Sequence, residues 1–370
     1  MNRFALLLVV VLALPAAAQL DNNGTIYSRF GLGQRMLALS PQAASMGGAD
    51  VSLFSTSYLS ATNPANWSDQ FYTRFTGGFK VQSIRTTNAL EAESRLTNGT
   101  IAPIQFGFPI LRRKLGVGVS FAPYTRVGYR VTETGTLPAT GTDPEVGFSS
   151  VIEGDGGLQE LRVGLGYEIT PNISVGAAAH VLFGIIKYNE RTEFLETVDY
   201  LPQVQQNEET RMSGFGASFG VTAELPQIAR ENDALIFGAS VVLPVNLDAT
   251  RTRTLVQSVE TDTLGAALSG SATLPLRTSV GVSYRASPRV LVALSGEYEP
   301  WAGFDSTLPF GGFTPGLEPA LNDRWRIGGG LQYIPAGETF VPSFFRRVGY
   351  RVGAYAERHT AAPVTDQPIM

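Results

Sequence analysis

Apolar and polar residues alternate with a period of two along most of the chain, most cleanly at residues 160–169. There Leu161, Val163, Leu165, Tyr167 and Ile169 oppose Glu160, Arg162, Gly164, Gly166 and Glu168, as in a β-strand with one greasy face. The pattern returns in Phe71, Phe75 and Phe79 against Arg74, Thr76 and Gly78, and in Ile104, Phe106 and Phe108 against Gln105 and Gly107. It recurs in Leu115–Phe121, in Phe215–Ala223, in Val280–Tyr284 against Arg277 and Arg285, in Trp325–Tyr333 against Arg326, and in Val348–Val352 against Arg347 and Arg351. With candidates near 173–188, 234–245 and 289–299, the pattern predicts roughly eleven strands of about 9 to 15 residues, against about 5 to 6 in globular proteins.

The connections alternate between long and short. Segments 86–99, 131–156, 189–210, 246–272 and 300–322 read as long loops, whereas Leu111–Lys114, Thr170–Asn172, 226–233 and Ala286–Pro288 read as tight turns. That rhythm is expected of an outer-membrane barrel with short periplasmic turns and long external loops. Trp325 and Tyr333 lie at opposite ends of one strand, roughly 20 Å apart along the membrane normal, close to the spacing of two aromatic girdles. On this reading Leu161, Val163 and Leu165 face lipid, and Glu160, Arg162 and Glu168 face a wet lumen.

Composition supports the inversion. Charged residues make up 16% of the chain and 40 of its 370 residues are glycine, against about 25% and 7% in soluble domains. The N-terminal Arg3, the apolar run Ala5–Leu14 and Ala16–Ala18 predict a signal peptide over 1–18, and no later run is long enough for a membrane helix. Without cysteine, neither a disulfide scaffold nor a cysteine-linked lipid anchor is available. The net charge of -4 points to no nucleic-acid partner.

Residues 19–69 do not alternate. They are expected to fold back as a plug of short helices inside a barrel spanning 70–370. Ser45-Met46-Gly47-Gly48-Ala49, followed by Asn63-Pro64-Ala65 and then the first strand, resembles the N-terminal hatch of the FadL-type outer-membrane transporters of long-chain fatty acids and other hydrophobic compounds. The Tyr27–Gly33 opening is similar to that of the branch found in Bacteroidota-like bacteria. The resemblance implies an all-β fold, a transmembrane antiparallel β-barrel of 14 strands, monomeric, with ligand released sideways near a kinked third strand. About eleven strands are read here, so C-terminal truncation is expected.

Gly47, Gly48, Asn63, Pro64 and Ala65 are the hatch candidates. Pro123 interrupts the third strand and marks either a lateral opening or the external rim. Arg162, His180, Arg277, Arg326 and Arg351 project into the lumen by parity. They either meet a ligand carboxylate or join lumenal acids such as Glu160, Glu168, Glu297 and Glu299 in networks. His180 has no second ligand at metal spacing and no nucleophile motif beside it, so no metal, cofactor or catalytic residue is expected. The lumenal glycines Gly214, Gly216 and Gly220 are expected to admit the plug.

The function these readings imply is passive uptake of hydrophobic small molecules such as long-chain fatty acids across the outer membrane of a Gram-negative bacterium, gated by the plug. The alternative is a non-transporting barrel subunit of a secretion or surface-attachment complex. Expected partners are a hydrophobic ligand, membrane lipid and, during biogenesis, the barrel-assembly machinery.

Overall fold

Short turns such as Pro171–Asn172 and Pro288–Arg289 return the chain on one side of the wall, as Pro and Asn favour, and the strands they join run well past the last outward-facing apolar residue. A computed structural model describes residues 25–55, 58–87, 93–101, 103–137, 146–194, 204–257, 260–317, 321–337 and 343–361. The expected signal segment 1–18 lies outside the described residues. A two-residue strand β1 (Gln34–Arg35) and a helical turn α1 (Pro41–Ser45) precede the wall. The wall opens with β2 (Arg74–Thr76) and β3 (Phe79–Thr87), β4 (Glu93–Ile101) and β5 (Ile104–Leu111), β6 (Leu115–Pro123) and β7 (Thr125–Leu137). Next come the long β8 (Val146–Thr170), β9 (Ile173–Phe194) and β10 (Val204–Pro226), then β11 (Ala234–Val242) and β12 (Val245–Gln257). It continues through β13 (Glu260–Thr263), β14 (Leu268–Leu274), β15 (Arg277–Ser287), β16 (Val290–Glu299), β17 (Asp305–Ser306) and β18 (Arg324–Tyr333), and after α2 (Phe344–Arg347) ends with β19 (Tyr350–Arg358).

Joined where they are collinear, these pieces make eleven wall strands among the described residues, all paired antiparallel. Each neighbours the next in sequence, so the sheet is a simple meander. Among the described residues it stays open, because β2 pairs only with β5 and β19 only with β18.

The wall has two tiers with opposite insides. In the tier beside the short turns, β9 turns Ser174 and His180 inward, both buried, and presents Ile173 and Phe183 outward. Farther along the same strand the faces trade character: Leu182 and Ile186 are buried inside, and Lys187 is exposed outside. In β10 the outward row passes from Phe219 and Phe215 to Ser213 and Arg211. In β11 and β12 it passes from Phe237 and Leu243 to Asn246, Asp248 and Thr250, while Val245, Leu247 and Ala249 become buried. Each crossover marks where hydrocarbon gives way to water outside the wall, since lipid selects apolar side chains and water polar ones.

The second tier therefore has an apolar core like that of a soluble barrel. Leu158, Leu182, Ile186, Leu247 and Leu274 from the wall pack against Leu32 of the N-terminal segment and against Trp301, Phe304, Phe310 and Phe313 of the segment after β16. This corrects two expectations. The interior is mainly apolar in the outer tier, where Arg251 and Thr210 are buried polar exceptions, and the stretches 131–156, 189–210 and 246–272, read as loops, are mostly paired strand. Once apolar residues move to the inner face, a search for outward greasy rows no longer finds them. β8 thereby reaches 25 residues.

Candidate functional site

The plug threads the interior from one tier to the other. It enters the outer tier as a 3-10 turn, Ile26–Arg29, passes through β1, and reaches α1, where Pro41 takes the first helical position and the Ser40 side chain accepts a hydrogen bond from Ala43 N–H, a regular N-cap. Helix growth stops at Gly47 and Gly48, whose φ angles of 70° and 90° suit glycine alone without strain. Gly47 lies so close to Gly329 of β18 and Ala354 of β19 that any side chain there would meet their backbone, and a side chain at Gly328 would meet Gly47 in turn.

A second 3-10 turn, Pro64–Trp67, follows with Asn63 as its cap. Asn63 Oδ1 accepts from Ala65 N–H at 3.0 Å, and its amide donates to Val51 O at 2.9 Å and to Thr222 Oγ1 of β10 at 3.0 Å. Thr222 Oγ1 in turn donates to Asn66 Oδ1 at 2.6 Å. Wall glycines Gly118, Gly176 and Gly220 leave room for Trp67, Pro64 and Asn63 respectively. Asp50, fully buried within the plug, accepts from Ser60 Oγ and from the Ala61 and Thr62 amides at 2.9 to 3.0 Å. Burial pushes its carboxyl above the ordinary range, against the pull of those donors.

Around the plug the membrane tier carries a buried charge network. Arg324 reaches Glu297 at 2.5 Å, Glu299 at 3.1 Å and Glu357 at 2.9 Å, and Arg326 reaches Glu357 at 2.6 Å. Arg326 also donates to Gly47 O at 3.3 Å, and Arg162 pairs with Glu160 at 3.3 Å and donates to Ala61 O of the plug. Such pairs contribute little net stability once desolvation is counted, but removing one partner strands a charge. Here they tie the plug to the wall.

His180 stands between Glu160 and Ser218. A carboxylate only accepts, so His180 Nδ1–H donates to Glu160 Oε1 at 2.6 Å and Ser218 O–H donates to Nε2 at 2.7 Å. The connectivity is that of an acyl-transfer triad. Ser218 is fully buried and does not line the internal cavity beside Glu160. The line links β8, β9 and β10 through buried side chains.

The wall changes hands at Pro123. β5 pairs with β6 only as far as Ile104 opposite Phe121, and β4 pairs with β3 in a separate two-stranded sheet. β7 keeps β8 on one edge, and its other edge receives β1, with Gln34 opposite Arg126 and Arg35 opposite Thr125. Met36 N–H donates to Tyr124 O at 2.9 Å, and Ser28 Oγ bonds the Gly128 backbone at 3.1 Å. Arg35 donates to Tyr124 O at 2.7 Å and lies 3.8 Å over the Tyr124 ring, a cation–π contact. Thus residues 28–36 of the plug stand where a barrel strand would complete the wall. Pro123 pairs with Gln159, opposite a kink made by the positive-φ residues Gly156 and Gly157. Because alternate amides point to opposite edges and Tyr124 N–H bonds Leu158 O at 2.8 Å, the Pro123 nitrogen faces the side where β5 has ended. Pro123 is not at the rim, since β7 continues to Leu137.

The structure places Gly47, Gly48, Asn63, Pro64 and Ala65 together with Arg162 and Arg326 at the plug–wall junction, buries Arg277 beside them, and holds His180 within the wall between Glu160 and Ser218. Arg351 reaches the plug at one remove, donating at 2.6 Å to Gln332 Oε1, which also accepts from Gln42 of the plug at 2.9 Å. Of the three glycines expected to admit the plug, only Gly220 does so, while Gly214 and Gly216 make room for Asn246 and Val245 of the next wall strand. Arg35, Asp50, Asn66, Ser218 and Arg324 were not foreseen. Arg324 shares lumenal parity with Arg326 and could have been read from it, but the others depend on cross-strand register or on the plug's path.

The family model described as BamG matches residues 1–370. Among curated proteins, none matches the chain. Solved structures show the same fold. A Pseudomonas aeruginosa FadL homologue is 13% identical with a TM-score of 0.57, covering 90% of this chain and 83% of its own. The Ralstonia pickettii toluene transporter TbuX is 13% identical with a TM-score of 0.51, covering 87% of each chain. The CymD monoaromatic hydrocarbon channel is 13% identical with a TM-score of 0.50, covering 90% of this chain and 86% of its own.

Proposed function

The chain belongs to the BamG family and is a β-barrel protein of the Gram-negative outer membrane, and on that premise we propose that it passes hydrophobic small molecules sideways through the wall beside Pro123. The observation that carries this reading is that, among the described residues, plug residues 28–36 and no barrel strand complete the wall along that edge of β7. That segment lies at the crossover between the two tiers, level with the outer edge of the apolar belt. An apolar solute entering from outside would pass the aromatic core of the outer tier and leave into lipid when β1 lets go of β7. Removal of apolar surface from water drives this transfer, at roughly 25 cal/mol per Å², so no energy source is required. Long-chain fatty acids and monoaromatic hydrocarbons are the candidate solutes.

The chain has no cysteine, which makes a direct test available. Gln34 and Arg126 are Cα partners, so Gln34→Cys with Arg126→Cys would lock β1 to the wall when oxidised. Uptake of a labelled fatty acid or of toluene into proteoliposomes should stop on oxidation and return with reductant. Equal uptake by the locked and reduced forms would rule the route out.

A second reading, a non-transporting barrel subunit of an outer-membrane assembly, is favoured by the interior itself. The cavity between plug and wall holds about 40 Å³, whereas ligand pockets measure about 300–1,000 Å³. Extraction in mild detergent separates the two readings: a co-purifying lipophile supports passage, and a stoichiometric protein partner without one supports the subunit.

A further inference from the structure

The small cavity between plug and wall is lined by Arg35, Arg162, Arg277, Arg326, Glu160 and Glu297, four guanidinium groups against two carboxylates. Arg277 is 6% exposed. Among the described residues, the Nε atoms of Arg35, Arg162 and Arg277 are buried without a hydrogen-bond acceptor. The wall arginines have neighbours that occupy part of their capacity, Glu160 for Arg162 and Glu357 for Arg326, while Arg35 spends one terminal nitrogen on the Met36 and Tyr124 carbonyls and meets a carboxylate only at Glu299, 3.6 Å away. Buried cations with idle donors are costly unless something negative meets them. The space, about 40 Å³, exceeds the roughly 10–15 Å³ that one water needs and suits a group of a few heavy atoms. A guanidinium fork fits planar or tetrahedral oxyanions through paired N–H donors.

We propose that this cavity binds a small oxyanion, a carboxylate or phosphate group, which clamps Arg35 of the plug to Arg162, Arg277 and Arg326 of the wall and holds the plug seated. The clamp does not depend on solute passage, because it concerns only what keeps the plug in place. The plug supplies one guanidinium and the wall three, so an anion between them would engage the Nε donors of Arg35, Arg162 and Arg277 that the neighbouring carboxylates leave without an acceptor. Loss of the anion frees the plug.

The test uses the full-length protein in mild detergent, with sodium phosphate, sodium acetate and sodium octanoate titrated at constant ionic strength against sodium chloride. The midpoint of thermal unfolding should rise saturably with phosphate or acetate in the wild type. In Arg277→Gln the half-saturating concentration should increase by about tenfold or more, as expected when a charged donor pair is lost, and without oxyanion this variant should be no less stable than wild type. Arg277→Lys, which keeps the charge but not the fork, should fall between them if the Gln variant fails to fold. Arg253→Gln, on the outer tier beside Glu208, should respond as wild type does. Octanoate acting well below the acetate concentration would identify the clamp as an amphiphile headgroup, and equal potency would identify a free oxyanion. Either supports the site. No saturable rise in wild type, or the same rise in Arg277→Gln, overturns it.

Discussion

At the level of Phe219 the wall is greasy outside and polar inside, whereas at the level of Leu247 it is polar outside and greasy inside, though neighbouring antiparallel strands build both. The backbone does not distinguish the tiers, so the solvent must. In the membrane tier, lipid already satisfies the outer face, and the inside is held by charge pairs and hydrogen bonds that the plug completes. In the outer tier, water surrounds the wall and the hydrophobic effect packs the inside. One meander thus joins a membrane barrel to a soluble one, and the two should fail for different reasons.

The largest failure is expected in the membrane tier. Arg324→Ala would leave Glu297, Glu299 and Glu357 without their shared cation, at a cost of about 3–5 kcal/mol, read as a lower temperature for losing the folded band on a detergent gel. In the outer tier Leu247, fully buried, should cost about 2–5 kcal/mol when changed to alanine. Limited proteolysis should then cut the outer tier first and spare the membrane strands. A charge on the outer face sharpens the comparison. Phe219→Lys should cost about 2–4 kcal/mol if Phe219 lies near the bilayer midplane, and Thr250→Lys should stay within about 0.5 kcal/mol. Equal refolding yields of these two variants into vesicles would erase the proposed boundary. Within the plug, Asn63→Ala should cost about 1–3 kcal/mol for the backbone groups it leaves unpaired, less than the loss of Arg324, and should appear as faster protease entry at the plug with the wall intact.

The membrane tier was legible in the sequence because lipid imposes a single rule on alternate residues. Parity alone placed Arg162, His180, Arg277 and Arg326 inward, and the i, i+2 spacing of Glu160 and Arg162 put an acid beside a base. The outer tier was missed although it also alternates: Asn246, Asp248, Thr250 and Thr252 oppose Val245, Leu247 and Ala249. Its signal was present with the faces exchanged, and the Pro244 break hid the phase change. Ser218 meets His180 only through cross-strand register, which no periodicity in one strand reveals. Nothing in the spacing of Gln34 or Arg35 foretold that a two-residue segment would complete the wall.

The hatch is gripped by distant parts of the chain. Gln42 bonds Gln332, 290 residues away, and Gly47 bonds Arg326, 279 residues away. The hatch thus cannot settle when it is made. Its contacts with β18 can close only after residues some 280 to 290 positions further along have been delivered, so seating the hatch is a late step in assembly.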